Sequence, residues 1–298
     1  MLIFFLISVP LIVLTYQLIP RGTLLHEATR LPALWLYALI SGAPKAPSTR
    51  LDYGSHSRQY YLSCPPAADT SGPPKWIIYF HGGSWRWGKP DFFRAHARQF
   101  TDLGYHVILP SYRPCPKHNY AQIAQDLTAL LRQLRKEHPE WSPGSTLAGG
   151  MSAGGHLATL LTLDTSIINA AIPDARPLSG FFALGAPLDL NQMPPSFVLR
   201  DLAGPADGDL FRKANPVQFL PLRPFQQALV IHGDQDGMVP VAAAASFAEK
   251  AQETTARQFR FCRIDGGTHL SIAAWPFRNH RVRQLLKDWL INTAELNH

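Results

Sequence analysis

Cysteine is scarce in this chain. Three thiols, Cys64, Cys115 and Cys262, are spread over 298 residues, and no two form a C-x-x-C pair. That spacing excludes the clustered-thiolate zinc sites and dithiol redox motifs. It allows one disulfide at most, so cysteine leaves the compartment open. Charge is sparse as well, with Asp, Glu, Lys and Arg at 16% of residues. The balance is basic, net +7, but Lys and Arg are scattered. The densest cluster, "LRQLRKEH" at 131–138, reads as the solvated face of a helix. No zinc-finger, RNP or helix-turn-helix signature occurs, which argues against a nucleic-acid partner. Internal repeats are missing too, which excludes a repeat array. What is abundant is apolar residue, 46% of the chain, enough at this length for a sizeable core and too much for a disordered protein.

The first charged side chain is Arg21, after "MLIFFLISVPLIVLTYQLIP". A run of about 20 apolar residues can span a bilayer. No Lys or Arg precedes it, and Ile19-Pro20-Arg21 is a poor cleavage site, so it lacks the marks of a secretory signal. The expectation is a retained hydrophobic anchor over 1–22 and membrane association through this single N-terminal segment. A secreted or periplasmic product of signal cleavage is the alternative. Residues 23–49 hold a second apolar piece, "LPALWLYALISG", too short to span and read as an interfacial or cap helix ended by Gly42 and Pro44. "APKAPSTR" follows as a linker, and the folded domain is placed at 50–298.

From residue 50 onward, strand and helix patterns alternate. "RQYYLSC" (58–64), "WIIYF" (76–80), "YHVILPSY" (105–112), "STLAG" (145–149), "GFFALGA" (180–186), "QALVIHG" (227–233) and "QFRFCRI" (258–264) read as strands. Helical spacing marks 91–104, 119–138, 153–163, about 240–252 and 279–294. Such alternation argues an α/β fold with a mainly parallel central sheet and helices on both faces. Residues 187–226 break the rhythm, are rich in Pro and loop residues, and read as a lid-like insertion over the carboxyl edge of the sheet.

Ser152 lies in Gly150-Met151-Ser152-Ala153-Gly154, a G-x-S-x-G between a predicted strand and a predicted helix. A strand-to-helix turn that sharp strains the serine backbone and lifts its hydroxyl clear, provided its neighbours two positions away are small. "HGGSW" (81–85) follows the strand "WIIYF" and offers backbone N–H groups of Gly83 and Ser84, joined by Ala153, to an oxygen gaining negative charge. Each such donor is worth a factor of about 100–1,000 in rate. His81 reads as a brace for that loop. In "LVIHGDQDGMVP" (229–240), Asp234 and Asp236 both follow a strand end, and Asp236 has the longer reach toward a neighbouring loop. His269 in "IDGGTHLSI" (264–272) follows a strand and two glycines, and supplies the base that a serine hydroxyl needs. The order Ser152, Asp236, His269 is the one this architecture uses.

On "HGGSW", "GMSAGG", "HGDQDGMVP", "GGTHL" and the segment "SYRPCPKHNYAQIAQD" (111–126), the chain from about 50 to 295 resembles α/β-hydrolase esterases and lipases of the hormone-sensitive-lipase and feruloyl-esterase-like kind. The resemblance implies the α/β-hydrolase fold. It also implies Ser152 as nucleophile, His269 as base, Asp236 as orienting acid, and Gly83, Ser84 and Ala153 as the oxyanion hole. Ser84 replaces the usual third glycine, of which only the N–H is needed. Ser111 stands where the family carries an acid before Tyr-Arg. The N-terminal apolar segment, an expected apolar helix, is outside the shared region.

The expected chemistry is two-step acyl transfer on a small-molecule ester, lipid-like if the anchor holds, with no metal or cofactor required. Trp85, Trp87 and Phe181, with Phe182 and Met193, are candidates to line an acyl pocket. An amidase of the aryl-formamidase (kynurenine formamidase-like) kind is the near alternative. A non-catalytic binding protein on a hydrolase scaffold is the alternative of another class.

Overall fold

Short apolar runs rich in β-branched and aromatic residues build the sheet, and the amphipathic segments between them cover it. The computed structural model describes residues 18–68, 74–255 and 258–296. Eight strands form one sheet: β1 (Thr49–Asp52), β2 (Tyr60–Cys64), β3 (Lys75–Phe80), β4 (Tyr105–Pro110), β5 (Thr146–Met151), β6 (Gly180–Leu184), β7 (Gln227–Gly233) and β8 (Phe259–Ile264). Their order is β1-β2-β4-β3-β5-β6-β7-β8. The β1–β2 and β2–β4 pairs are antiparallel, and every other neighbouring pair is parallel.

The helices are α1 (Leu24–Ile40), α2 (Arg94–Thr101), α3 (Tyr120–Glu137), α4 (Ala153–Leu163), α5 (Thr165–Ala171), α6 (Phe197–Ala203), α7 (Asp209–Ala214), α8 (Val241–Thr255), α9 (His269–Ala273) and α10 (His280–Leu296). Alternate residues of β3 go to opposite faces, as pleating requires. Ile78 and Phe80 join the core under α3 and α4, with Leu127, Leu130, Leu157 and Leu161. Ile77 and Tyr79 join the other core, with Phe100 of α2 and Leu286, Trp289 and Leu290 of α10. Burial on both faces is why the central strands read as unbroken apolar runs. Helix α3 starts where its cap predicts: the Asn119 side chain accepts from Ala121 N at 2.9 Å, and Gln122 reaches back to Asn119 N at 2.9 Å.

The position before Tyr112-Arg113 resolves differently from the family pattern. Ser111 Oγ accepts from Arg58 Nε at 2.8 Å, while Arg113 turns to the fully buried Asp126, donating from Nε and from its backbone N at 2.8 Å each.

No helix of the described residues is long and apolar enough to cross a membrane. This corrects the expectation of membrane association through a single N-terminal segment. Most of the apolar run, residues 1–17, lies outside the described residues. The piece read as a cap helix is α1. Its only buried residues are His26 and Glu27, while Leu24, Leu25, Leu36, Leu39 and Ile40 face outward.

Candidate active site

Ser152 stands alone between β5 and α4 with φ 56° and ψ −124°, a left-handed conformation costly for a residue with a Cβ. Its N–H donates to Leu184 O at the end of β6 at 2.8 Å, and its C=O accepts from His156 N at 3.1 Å. The turn closes because its flanking glycines have no side chains. A Cβ on Gly150 would lie 2.4 Å from the Gly154 carbonyl carbon, and one on Gly154 would lie 2.1 Å from Phe80 O. Ser152 keeps partial exposure while Met151 and residues 153–163 are buried.

Asp236 and His269 meet beyond the ends of β7 and β8. His269 Nδ1 lies 2.7 Å from Asp236 Oδ2. The carboxylate can only accept, so Nδ1 carries the proton and Nε2 is left with its lone pair. Asp236 Oδ1 accepts from Met238 N at 2.9 Å and Val239 N at 2.8 Å, which locks the carboxylate orientation. Asp234, the other acid weighed in the sequence, makes no such contact, and its Oδ1 is buried without a partner among the described residues. The pair converges on the strand end that holds the serine: a Cβ on Gly185, next to Leu184, would lie 3.4 Å from both Asp236 Oδ2 and His269 Nδ1.

Burial opposes charge on His269, but the adjacent Asp236 carboxylate, its hydrogen bond and the more distant Glu27 raise its pKa above the ordinary 6.5. Burial likewise opposes ionisation of Asp236, and His269 with the other donors overrides it and holds the carboxyl below its ordinary value. His232 approaches Asp236 Oδ2 at 3.4 Å but donates from Nε2 to Val239 O at 2.9 Å, and burial lowers its pKa.

The loop 81–88 lies beside the serine. A Cβ on Gly82 would come 3.5 Å from Ser152 Cβ. Gly83, Ser84 and Trp85 follow one another at positive φ (120°, 52° and 56°), and Gly83 O accepts from Arg86 N and Trp87 N at 3.0 and 2.8 Å. Among the described residues the N–H groups of Gly83, Ser84 and Ala153 have no protein acceptor. His81 braces this loop from beneath. Its Nδ1 donates to Gly82 O at 2.9 Å, its ring stacks on Tyr112 at 4.6 Å, and burial pushes its pKa down to about 4.

The expected substrate-facing aromatics divide. Phe181 is fully buried and packs edge-on against Phe247 of α8 at 6.2 Å, so it belongs to the core and presents no surface to a ligand. Trp85 is also buried, and its Nε1 donates to His156 Nδ1 at 3.3 Å while His156 Nε2 donates to Ala214 O at 2.7 Å. It therefore ties the loop to α4 and α7 and does not face outward. Phe182 is buried on the opposite face, 6.0 Å from Tyr79. Trp87 is 60% exposed. Residues 187–226, read in the sequence as a lid-like insertion, meet the same loop: Arg86 pairs with Asp201 of α6, and its guanidinium lies 4.9 Å from the Phe197 ring. Leu199, Leu202, Phe211 and Ala214 anchor this segment in the core under α3 and α4.

One contact had no advocate in the sequence. The Glu27 carboxylate of α1 accepts from His269 N at 2.7 Å, Leu270 N at 3.2 Å and Gly237 N at 3.3 Å. The available signal was a lone acid in an apolar segment.

A family model described as alpha/beta hydrolase fold matches residues 77–270. Esterase LipQ of Mycobacterium tuberculosis is 24% identical over 234 residues, covering 72% of this chain and 54% of the relative. The chain spans about half the length of the curated relatives it matches. Among solved structures, esterase B from Lactobacillus rhamnosis superposes with a TM-score of 0.72 at 18% identity, covering 92% of this chain and 96% of that one. Thermogutta terrifontis esterase 2 phosphonylated by sarin gives 0.67 at 19% identity, covering 84% and 95%. At such identity these two likenesses speak to the fold.

Proposed function

The chain belongs to the alpha/beta-hydrolase fold family, and from that premise we propose that it hydrolyses carboxylic esters of small molecules through an acyl-enzyme on Ser152. The observation that carries this reading is the convergence at the end of β6. There Leu184 O holds the strained Ser152, and the 2.7 Å Asp236–His269 pair closes beside Gly185. The esterase names of the matched relatives support the same reading.

In this mechanism His269 Nε2 takes the Ser152 hydroxyl proton as Oγ attacks the ester carbonyl. Asp236 steadies the imidazolium that forms. The N–H groups of Gly83, Ser84 and Ala153 donate to the tetrahedral oxyanion, and their lack of protein acceptors leaves them available for it. The carbon–oxygen bond to the leaving alcohol breaks, and the alcohol carries away the proton from His269. Water then attacks the acyl carbon, gives its proton to His269, and the acid departs as Ser152 regains the proton. In this reading Trp87 of the oxyanion loop and Phe197 of α6, both exposed, meet a substrate arriving from solvent.

The test is turnover of p-nitrophenyl acetate, butyrate and decanoate by wild type beside Ser152→Ala, with fluorophosphonate labelling read by mass spectrometry. The expected result is label on Ser152 and turnover that falls by several orders of magnitude in the variant. Turnover of formyl amides in place of esters, still dependent on Ser152, would move the reading to an amidase. Folded protein with no Ser152-dependent turnover of either would leave a binding protein on a hydrolase scaffold.

A further inference from the structure

We propose that Glu27 is a positioning residue: a single carboxylate on the N-terminal helix that joins the turn bearing the acid to the turn bearing the base and fixes their relative placement. The proposal rests on the triad assignment above.

Helix α1 is inside out. A helix lying on a protein ordinarily buries an apolar stripe, yet the only buried residues of α1 are His26 and Glu27, with its leucines turned to the outside. A buried carboxylate is costly unless its oxygens are satisfied. Here they are satisfied by one group of partners. Oε1 accepts from His269 N and Gly237 N, and Oε2 from Leu270 N. Two of those N–H groups open α9, whose Thr268 cap and Ser271 complete a capping box, so the negative charge sits where the first turn of the helix is positive. The third belongs to the residue after Asp236. The seat is tight: a Cβ on Gly237 would lie 2.3 Å from Thr23 O, the cap residue of α1. A direct backbone bond, Gln235 N to Gly267 O at 2.9 Å, also links the two turns. Loss of Glu27 therefore loosens the pair without separating it.

Two consequences follow, one geometric and one electrostatic. Misplacement of a catalytic group by a fraction of an ångström costs rate. The charge of Glu27 also favours protonated His269. The groups facing His269 are Asp236 from the acid turn, His232 from β7 and Glu27 from α1. Arg21, His26 and Arg30 line a cleft together with Thr268 and Ser271.

The experiment uses the full chain with Glu27→Gln, which keeps the shape and removes the charge. One readout is the pH profile of kcat/KM. The other is the low-field proton resonance of His269 Nδ1, followed through its titration in 15N-histidine-labelled protein. The expected result is kcat/KM lower by about 10–100-fold on the pH plateau, with the acid limb and the NMR midpoint both moved to lower pH. A folded Glu27→Gln protein with kcat/KM within about twofold of wild type, or one slower but with limb and midpoint unmoved, overturns the proposal. If Glu27→Gln does not fold, Glu27→Asp keeps the charge on a shorter arm. It is expected to slow the reaction with the limb in place, and a limb that moves in it overturns the proposal. The two readings fail separately: wild type without Ser152-dependent turnover defeats the esterase reading, while the His269 titration still reports on Glu27.

Discussion

Replacing Asp236 by Asn tests the base and its orienting acid together, and the structure fixes what the new amide can do. Asp236 Oδ1 holds two backbone donors, Met238 N and Val239 N, and Oδ2 holds His269 Nδ1. An Asn that turned its NH2 group toward Met238 and Val239 would lose both acceptor bonds and set donor against donor. It therefore keeps its oxygen there and presents NH2 to His269. Nδ1 must then accept, the ring proton moves to Nε2, and the imidazole can no longer take the serine proton. A wrong tautomer in a triad costs about 10⁴ in rate, or about 5 kcal/mol of transition-state stabilisation. The fold should hardly notice, because the amide keeps the shape and two of the three bonds and reverses the third. A melting shift of no more than about 4 °C is expected. The assay is kcat/KM on p-nitrophenyl butyrate, with active-site titration to exclude residual wild type. Loss of less than about tenfold would refute the tautomer argument, and a large loss in Asp234→Asn instead would transfer the acid role to Asp234.

Because the His269 pKa lies above 6.5 and only the neutral ring accepts a proton, kcat/KM should fall as pH drops through a midpoint above 6.5, read from a pH–rate profile on a neutral ester. Gly150→Ala places a methyl against the Gly154 backbone, which cannot yield as a side chain would. Destabilisation of about 2 kcal/mol or more is expected in denaturant melts. Asp126→Ala strands the half-buried Arg113 and should cost about 3–5 kcal/mol in the same measurement. Trp85→Phe removes the donor to buried His156 Nδ1. Stability should drop by about 1–3 kcal/mol with KM for butyrate and decanoate esters unchanged, whereas a KM that changes with acyl length would return Trp85 to the substrate pocket.

The central strands were legible because β3 to β7 are buried runs bounded by turn residues. Strand β1 was not, because "TRLD" is an exposed polar edge strand with no apolar run. Helix α5 was missed because it is a single short helix, Thr165–Ala171, that starts beside the end of α4. The turn at Ser152 could be read from its glycines, and reach past the strand end favoured Asp236 over Asp234, the acid that lies 2.7 Å from His269 being Asp236. Phe181 could not be placed, because alternation gives no sign of which face a doubly buried strand turns toward the ligand. For Glu27 the only local signal is a lone acid in an apolar segment, which says nothing of its partners 210, 242 and 243 positions away. The expectation of a membrane-spanning start fell on residues 1–22, of which 1–17 lie outside the described residues, and no helix of the described residues is long and apolar enough to cross a membrane.

That long separation has a consequence in time. A ribosome adding about 5–20 residues per second needs about 12–50 s to travel the 242 positions from Glu27 to His269. Throughout that interval the nascent chain carries the carboxylate without its backbone partners. The residues of the Ser152 turn are made well before Asp236 and His269, the acid and base proposed for it. On the reading proposed above, a translation product halted before residue 269 would hold the Ser152 turn without the histidine proposed as its base.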